Sequence, residues 1–123
     1  MYRLGITRNF SAQHFLIGGD WGAENQLHSH HYRVEVLMRG SELDEHGYLV
    51  DIVELEHVLN EVIAMFRDRT LNELEAFLEL NPSLERFAHL FWKLLNAAMS
   101  MSGKMLTVKL WENETDYATY GVE

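Results

Sequence analysis

The sequence predicts an α+β fold: a four-stranded antiparallel sheet with two antiparallel helices on one face, in the order β-β-α-α-β-β. Three observations lead there. Apolar and polar residues alternate in two stretches near each end of the chain, the period of strands with one buried face. Between those pairs the period lengthens to the i, i+3, i+4 spacing of amphipathic helices. The helices are also grouped in the middle of the meander, which places them together on one side of a sheet.

Residues 2–10 put Tyr2, Leu4 and Ile6 on one face, while Arg3, Thr7 and Arg8 fit the alternation only in part. The strand is expected to continue through Ser11 to Leu16. Ile17 to Ala23 carries three glycines and reads as a loop. A second strand follows over roughly 28–39, with Val34, Val36 and Met38 on the same face as His28, His30 and Tyr32. Gly40 to Gly47 is a polar turn, so the first two strands form an antiparallel pair with a long, Gly-rich connection. From Asp51 to Arg67 the apolar residues Leu55, Val58, Leu59, Val62, Ile63 and Phe66 make a helical stripe. Asp51 can cap it, and Glu54 suits its positive end. Arg67 to Asn72 ends this helix, and residues 73–80 read as a turn or short helix. Asn81 as cap and Pro82 at the first position predict the second helix. Its stripe is Leu84, Phe87, Ala88, Phe91, Leu94, Leu95 and Ala98, ending near Ser102-Gly103. Lys104 to Trp111 alternates again, Glu112 to Thr115 is a turn, and Asp116 to Val122 can form a last strand. With no repeat, low-complexity tract or linker, residues 1–123 read as one domain.

Composition narrows the function. The net charge is -9, from 10 basic and 19 acidic residues. Nucleic acid demands a basic footprint and is not expected as a partner. No apolar run is long enough to span a bilayer, and the first residues lack a signal-peptide segment, so a cytoplasmic protein without membrane contact is expected. The chain has no cysteine, which excludes disulfides, thiolate metal sites and thiol catalysis.

One stretch carries chemistry: Glu24-Asn-Gln-Leu-His28-Ser-His30-His31-Tyr32. On a strand, His28 and His30 aim at one point, whereas His31 faces the other way. A catalytic zinc keeps three protein ligands and an open position. His14, in Phe10-Ser-Ala-Gln-His14, can supply the third imidazole. Taken alone, H-x-H is a short motif, and pairs of surface histidines are common. A sheet of four strands also has two exposed edges, and subunits joined edge to edge would close a barrel.

Taken together the motifs resemble the 6-pyruvoyl-tetrahydropterin synthase and 6-carboxytetrahydropterin synthase family. Phe10-Ser-Ala-Gln-His14 is similar to its F-S-A-x-H, and Leu27-His-Ser-His-His-Tyr32 to its L-H-G-H-x-Y. Gly47-Tyr-Leu-Val-Asp-Ile52 resembles G-M-V-x-D-F, and Asp68-Arg-Thr-Leu-Asn72 resembles D-H-x-x-L-N to within one position. Asn81-Pro-Ser-Leu-Glu85 is similar to N-P-T-x-E, and Thr107 to Glu112 to V-x-V-x-E. The resemblance implies the tunnelling fold, with trimers closing a twelve-stranded barrel and two trimers stacking into a hexamer. It implies Zn2+ on His14, His28 and His30, and a pterin substrate anchored by Glu112. Ser83, where the family has Thr, would help hold the ring; its structural alternative is helix capping. The implied activity is a zinc-assisted lyase reaction on 7,8-dihydroneopterin triphosphate, with no redox cofactor.

The chain departs from the family at two catalytic positions. Glu24 stands where the family base is a cysteine. Arg69 stands where a histidine is expected after the aspartate that matches Asp68. Glu24 and Asp68 are therefore the candidate catalytic residues, since a carboxylate beside substrate can serve as base. A family subgroup with glutamate near the cysteine position cleaves the side chain to 6-hydroxymethyl-7,8-dihydropterin for folate. The other products open to this chain are 6-carboxytetrahydropterin, on the route to queuosine, and 6-pyruvoyl-tetrahydropterin. The alternative to an enzyme is a non-catalytic protein that binds metal and pterin. His46, His57 and His89 read as turn and helix-surface residues.

Overall fold

The computed structural model describes residues 1–121. Its four strands are β1 (Tyr2–His14), β2 (His28–Gly40), β3 (Lys104–Trp111) and β4 (Tyr117–Gly121), and its long helices are α1 (Ile52–Ala64) and α2 (Leu84–Ala98). The sheet is antiparallel throughout, in the order β1-β2-β3-β4. Both helices lie on one face, as the grouping of helical periods predicts.

The even-numbered residues of the strands face the helices. Ile6, Phe10, Ala12, Tyr32, Val34, Val36, Met38, Leu106, Val108 and Leu110 are buried there. Leu55, Leu59 and Ile63 of α1 and Phe87, Phe91 and Leu95 of α2 close over them. An aromatic cluster centres on Phe87, whose ring lies 6.0 Å from Phe10, 5.1 Å from Tyr32, 5.0 Å from Phe66, 6.0 Å from Phe77 and 5.2 Å from Phe91. Arg8 is the polar member of the inward row, and its guanidinium pairs with Glu56 of α1 at 2.9 Å. That pairing explains why Arg8 breaks the alternation.

Asp51 caps α1 as expected, its carboxylate accepting from the N–H groups of Val53 and Glu54. Four boundaries differ from the sequence expectation. β1 stops at His14 rather than Leu16, because past that residue side chains replace the partner strand (below). α1 ends at Ala64, followed by tight turns through Arg69. Short 3₁₀ turns at Leu71–Glu73 and Glu75–Phe77 occupy the ambiguous acidic stretch. At α2 the cap is Ser83, whose hydroxyl accepts from the Arg86 N–H, and not Asn81. The Asn81 side chain is engaged elsewhere, accepting from the Ile17 N–H at 3.0 Å. α2 ends at Ala98, short of Gly103, which instead takes φ +69° in the turn into β3. β4 is described to Gly121, and the expected end at Val122 lies outside the described residues.

β1 and β4 are the two edges of the sheet. The C-terminal end of β1 is partly covered. Asp68, at φ +59°, donates its N–H to Ser11 O at 2.7 Å, and Gln13 donates to Arg69 O at 2.9 Å. Asp tolerates this left-handed backbone better than most residues.

Phe87→Ala should destabilise the protein by about 3–5 kcal/mol, since it opens a cavity at the centre of the aromatic cluster. Urea unfolding of variant and parent measures the difference.

Candidate metal and pterin site

Sheet register builds the site. β1 and β2 pair with His14 opposite His28, and Ala12 opposite His30. His14, His28 and His30 therefore project from the same face. Their rings lie 4.5–4.9 Å apart, edge to face. Glu24 joins them from the 3₁₀ turn Gly22–Asn25 in the β1–β2 connection. One donor atom from each of these four residues lies within 4.8 Å of the others.

Hydrogen bonds set which nitrogens face inward. His14 Nδ1 lies 3.0 Å from Pro82 O, and His28 Nδ1 lies 2.7 Å from Gln26 O. A carbonyl oxygen only accepts, so each Nδ1 carries the proton and each Nε2 keeps its lone pair. Fixing the tautomer through a backbone carbonyl is how metal-binding histidines are commonly oriented. His14 is 3% exposed, and its Nε2 has no partner among the described residues. Burial lowers the pKa of His14 to about 4, so the ring is neutral at pH 7.

His28 Nε2 lies 3.1 Å from His30 Nε2 and 2.6 Å from Glu24 Oε2. Lone pairs this close repel unless a cation sits among them. A proton can bridge one pair, but it leaves the buried His14 Nε2 unmatched. A metal ion answers the three imidazole nitrogens at once and suits the carboxylate beside them. Three imidazoles fit a borderline ion such as zinc and leave Glu24 free to act beside it. The residues present therefore fit the metal.

Beside the cluster, Glu112 follows the end of β3, one residue past the pair Arg33–Trp111. It is half-buried, and desolvation raises its pKa while His30 pulls it back down; Glu24, Asp116 and Glu85 add to the rise. A cavity of about 640 Å³ is walled mostly from the opposite face of the sheet, by Asn9, Ser29, His31, Arg33 and Trp111, and reaches His30 and Glu112 at this end. Tyr32 lies buried between these parts, its hydroxyl pKa raised by burial and by Glu112 and Glu24. Of the other candidates, Ser83 caps α2 and neighbours Pro82, whose carbonyl holds His14. Asp68 is exposed beside the edge of β1 and is not in the four-residue cluster. Arg69 forms no ion pair with Asp68, Glu73 or Glu75 among the described residues; its carbonyl receives the Gln13 N–H. His31 meets Ser11 Oγ at 3.1 Å on the opposite face of the sheet.

The sequence reading missed Gln26 and Pro82, which act through their carbonyls and so leave no side-chain signature. It also missed Asn25 and Asn72. An asparagine beside a Gly-rich loop is the available signal, since its amide can mimic a backbone partner.

The family model described as 6-pyruvoyl tetrahydropterin synthase matches residues 3–123. The chain belongs to that family. A candidate 6-carboxy-5,6,7,8-tetrahydropterin synthase of Archaeoglobus fulgidus is 33% identical over 116 residues, covering 94% of this chain and 91% of the relative. A dihydroneopterin monophosphate aldolase of Pyrococcus furiosus is 26% identical over 121 residues, covering 98% and 95%. The solved 6-pyruvoyl tetrahydropterin synthase of Caenorhabditis elegans superposes with a TM-score of 0.87 at 23% identity, covering 99% and 96%. That likeness shows the tunnelling fold. No helix among the described residues is long and apolar enough to cross a membrane.

His28→Ala removes one of three converging nitrogens and should lower bound metal from about one ion per chain to well below half. Elemental analysis after dialysis against dilute chelator checks this.

Proposed function

We propose that the protein is a zinc-dependent lyase that cleaves the side chain of a phosphorylated 7,8-dihydroneopterin, the triphosphate or the monophosphate. The products are 6-hydroxymethyl-7,8-dihydropterin and a glycolaldehyde that keeps the phosphate. The observation that carries this reading is Glu24. It stands where the family cysteine is missing, and its carboxylate lies 2.6 Å from His28 Nε2.

In this reading Glu112 holds the pterin. Its carboxylate accepts two parallel hydrogen bonds from the ring's amino group and neighbouring N–H, a directional and charge-assisted contact. That fixes the ring so that the side chain reaches the histidines. When bound there, zinc supplies Lewis acidity to the side-chain hydroxyls. Glu24 takes the proton of the 2′-hydroxyl. The C2′–O bond becomes a carbonyl as the C1′–C2′ bond breaks, and the electron pair passes into the C6–N5 part of the ring. A proton returned to C1′ completes the hydroxymethyl group. The sum is an isomeric cleavage and needs no oxidant. Asp68 is the reading's second catalytic carboxylate, placed by the family frame, and Ser83 its second contact to the ring.

The name of the Pyrococcus furiosus relative, an aldolase, supports C–C cleavage. The Archaeoglobus fulgidus relative favours a second reading, 6-carboxytetrahydropterin as product. The absent cysteine weighs against it. A non-catalytic, pterin-binding member remains the rival of another class. The edges of β1 and β4 support subunits that join edge to edge into a barrel; trimers paired into a hexamer, and a cytoplasmic location, are carried over as part of this proposal from the family resemblance and the sequence.

Glu24→Gln keeps the shape and removes the base. It should lower kcat by at least a hundredfold while zinc and pterin still bind. Turnover of the zinc-loaded variant at the parent rate would place the base elsewhere.

A further inference from the structure

Backbone accounting past His14 shows how Glu24 is held. β1 has lost its partner strand there, yet both backbone polar groups of Phe15 and Leu16 and the Ile17 N–H are satisfied. Asn72 meets Phe15 twice, accepting its N–H at 2.9 Å and donating to its carbonyl at 2.8 Å. Asn81 accepts the Ile17 N–H. The Leu16 N–H goes to Glu24 O at 2.9 Å. Within the loop the Gly22 N–H goes to the Asp20 carboxylate at 3.1 Å and the Glu24 N–H to Trp21 O at 3.3 Å, while the side-chain bonds that cross it come from Asn25. Its amide donates to Leu16 O at 3.1 Å and to Gly19 O at 2.9 Å, and its oxygen accepts the Trp21 N–H at 2.6 Å.

Apolar contact is slight: the half-exposed Trp21 ring lies against Gly19. The turn Gly22–Asn25 contains no buried residue, and the Glu24 side chain is 51% exposed. A half-exposed carboxylate on a Gly-rich loop ordinarily samples many rotamers. Here it lies over the histidine cluster. The geometry points to Asn25 as the positioning residue of Glu24: its three hydrogen bonds fold the 16–25 loop so that the carboxylate faces His28. This inference rests on the reading of Glu24 as base. Asparagine suits the task because one short side chain offers two donors and an acceptor. Aspartate keeps only the acceptor, and alanine keeps neither.

Positioning predicts a specific pattern in kinetics. Misplacing a catalytic group by about 1 Å can cost roughly a hundredfold in rate. Groups that act as a unit are non-additive when both are removed. The test compares Asn25→Ala, Glu24→Gln and the double variant, each zinc-loaded, in steady-state cleavage of 7,8-dihydroneopterin monophosphate and triphosphate, read by mass spectrometry. Asn25→Ala should lower kcat about ten- to a hundredfold, with KM and zinc content close to the parent. The double variant should be no slower than Glu24→Gln. Asn25→Asp, which retains the Trp21 contact, should also be slow and serves if the alanine variant does not fold. With Glu24→Gln slow, an asparagine variant at the parent kcat, or losses that multiply in the double variant, would overturn the positioning role and leave the base assignment standing. A Glu24→Gln protein at the parent rate would instead overturn the base assignment.

Discussion

The register between β1 and β2 is the constraint on which the site depends. Because His14 sits opposite His28, three imidazoles from two strands share one face. A slip of one residue would turn a whole strand's side chains to the other face. His14 would then leave the core, and Ile6, Phe10 and Ala12 would leave with it. The same alternation that buries the core therefore aims the three histidines. Fold stability and site geometry are set by one pattern of side-chain direction.

The second layer is made of carbonyls and amides. Pro82 O and Gln26 O choose the tautomers of His14 and His28, which leaves Nε2 lone pairs pointing inward. Pro82 precedes α2, so the segment leading into the helix that covers the sheet also orients His14. Asn72 and Asn81 tie the chain after β1 to the segments around the 3₁₀ turns and the start of α2. A site of this kind brings together buried donors that have no protein partner, such as His14 Nε2. Buried polar atoms without partners are costly, and a ligand or ion offsets that cost.

Much of this was legible in the residues. The H-x-H strand, the capped start of α1 and the grouping of helices were readable because side-chain period and cap chemistry are local. His14 was named from the residues as a third imidazole, and the family frame added Glu112, which no local rule connects to it. The misread boundaries share one cause. Asn81 looks like a helix cap because Asn commonly caps, yet its oxygen binds Ile17, far away in sequence. Leu16 looks like strand because its neighbours are apolar, but no strand lies beside it. Such choices are settled by tertiary partners. Glu24 was identified only as a substitution for cysteine; its contact with His28 required the fold of a loop with no periodic pattern.

In the proposed reaction a carboxylate, Glu24, takes the place of a thiol as the base beside the histidine cluster and Glu112. The most direct test is to incubate the zinc-loaded protein with 7,8-dihydroneopterin monophosphate and triphosphate and identify the pterin formed by mass spectrometry. The expected products are 6-hydroxymethyl-7,8-dihydropterin and phosphorylated glycolaldehyde in equal amount. A carboxylated or pyruvoyl pterin, or intact substrate with zinc and pterin both bound, would contradict the proposal.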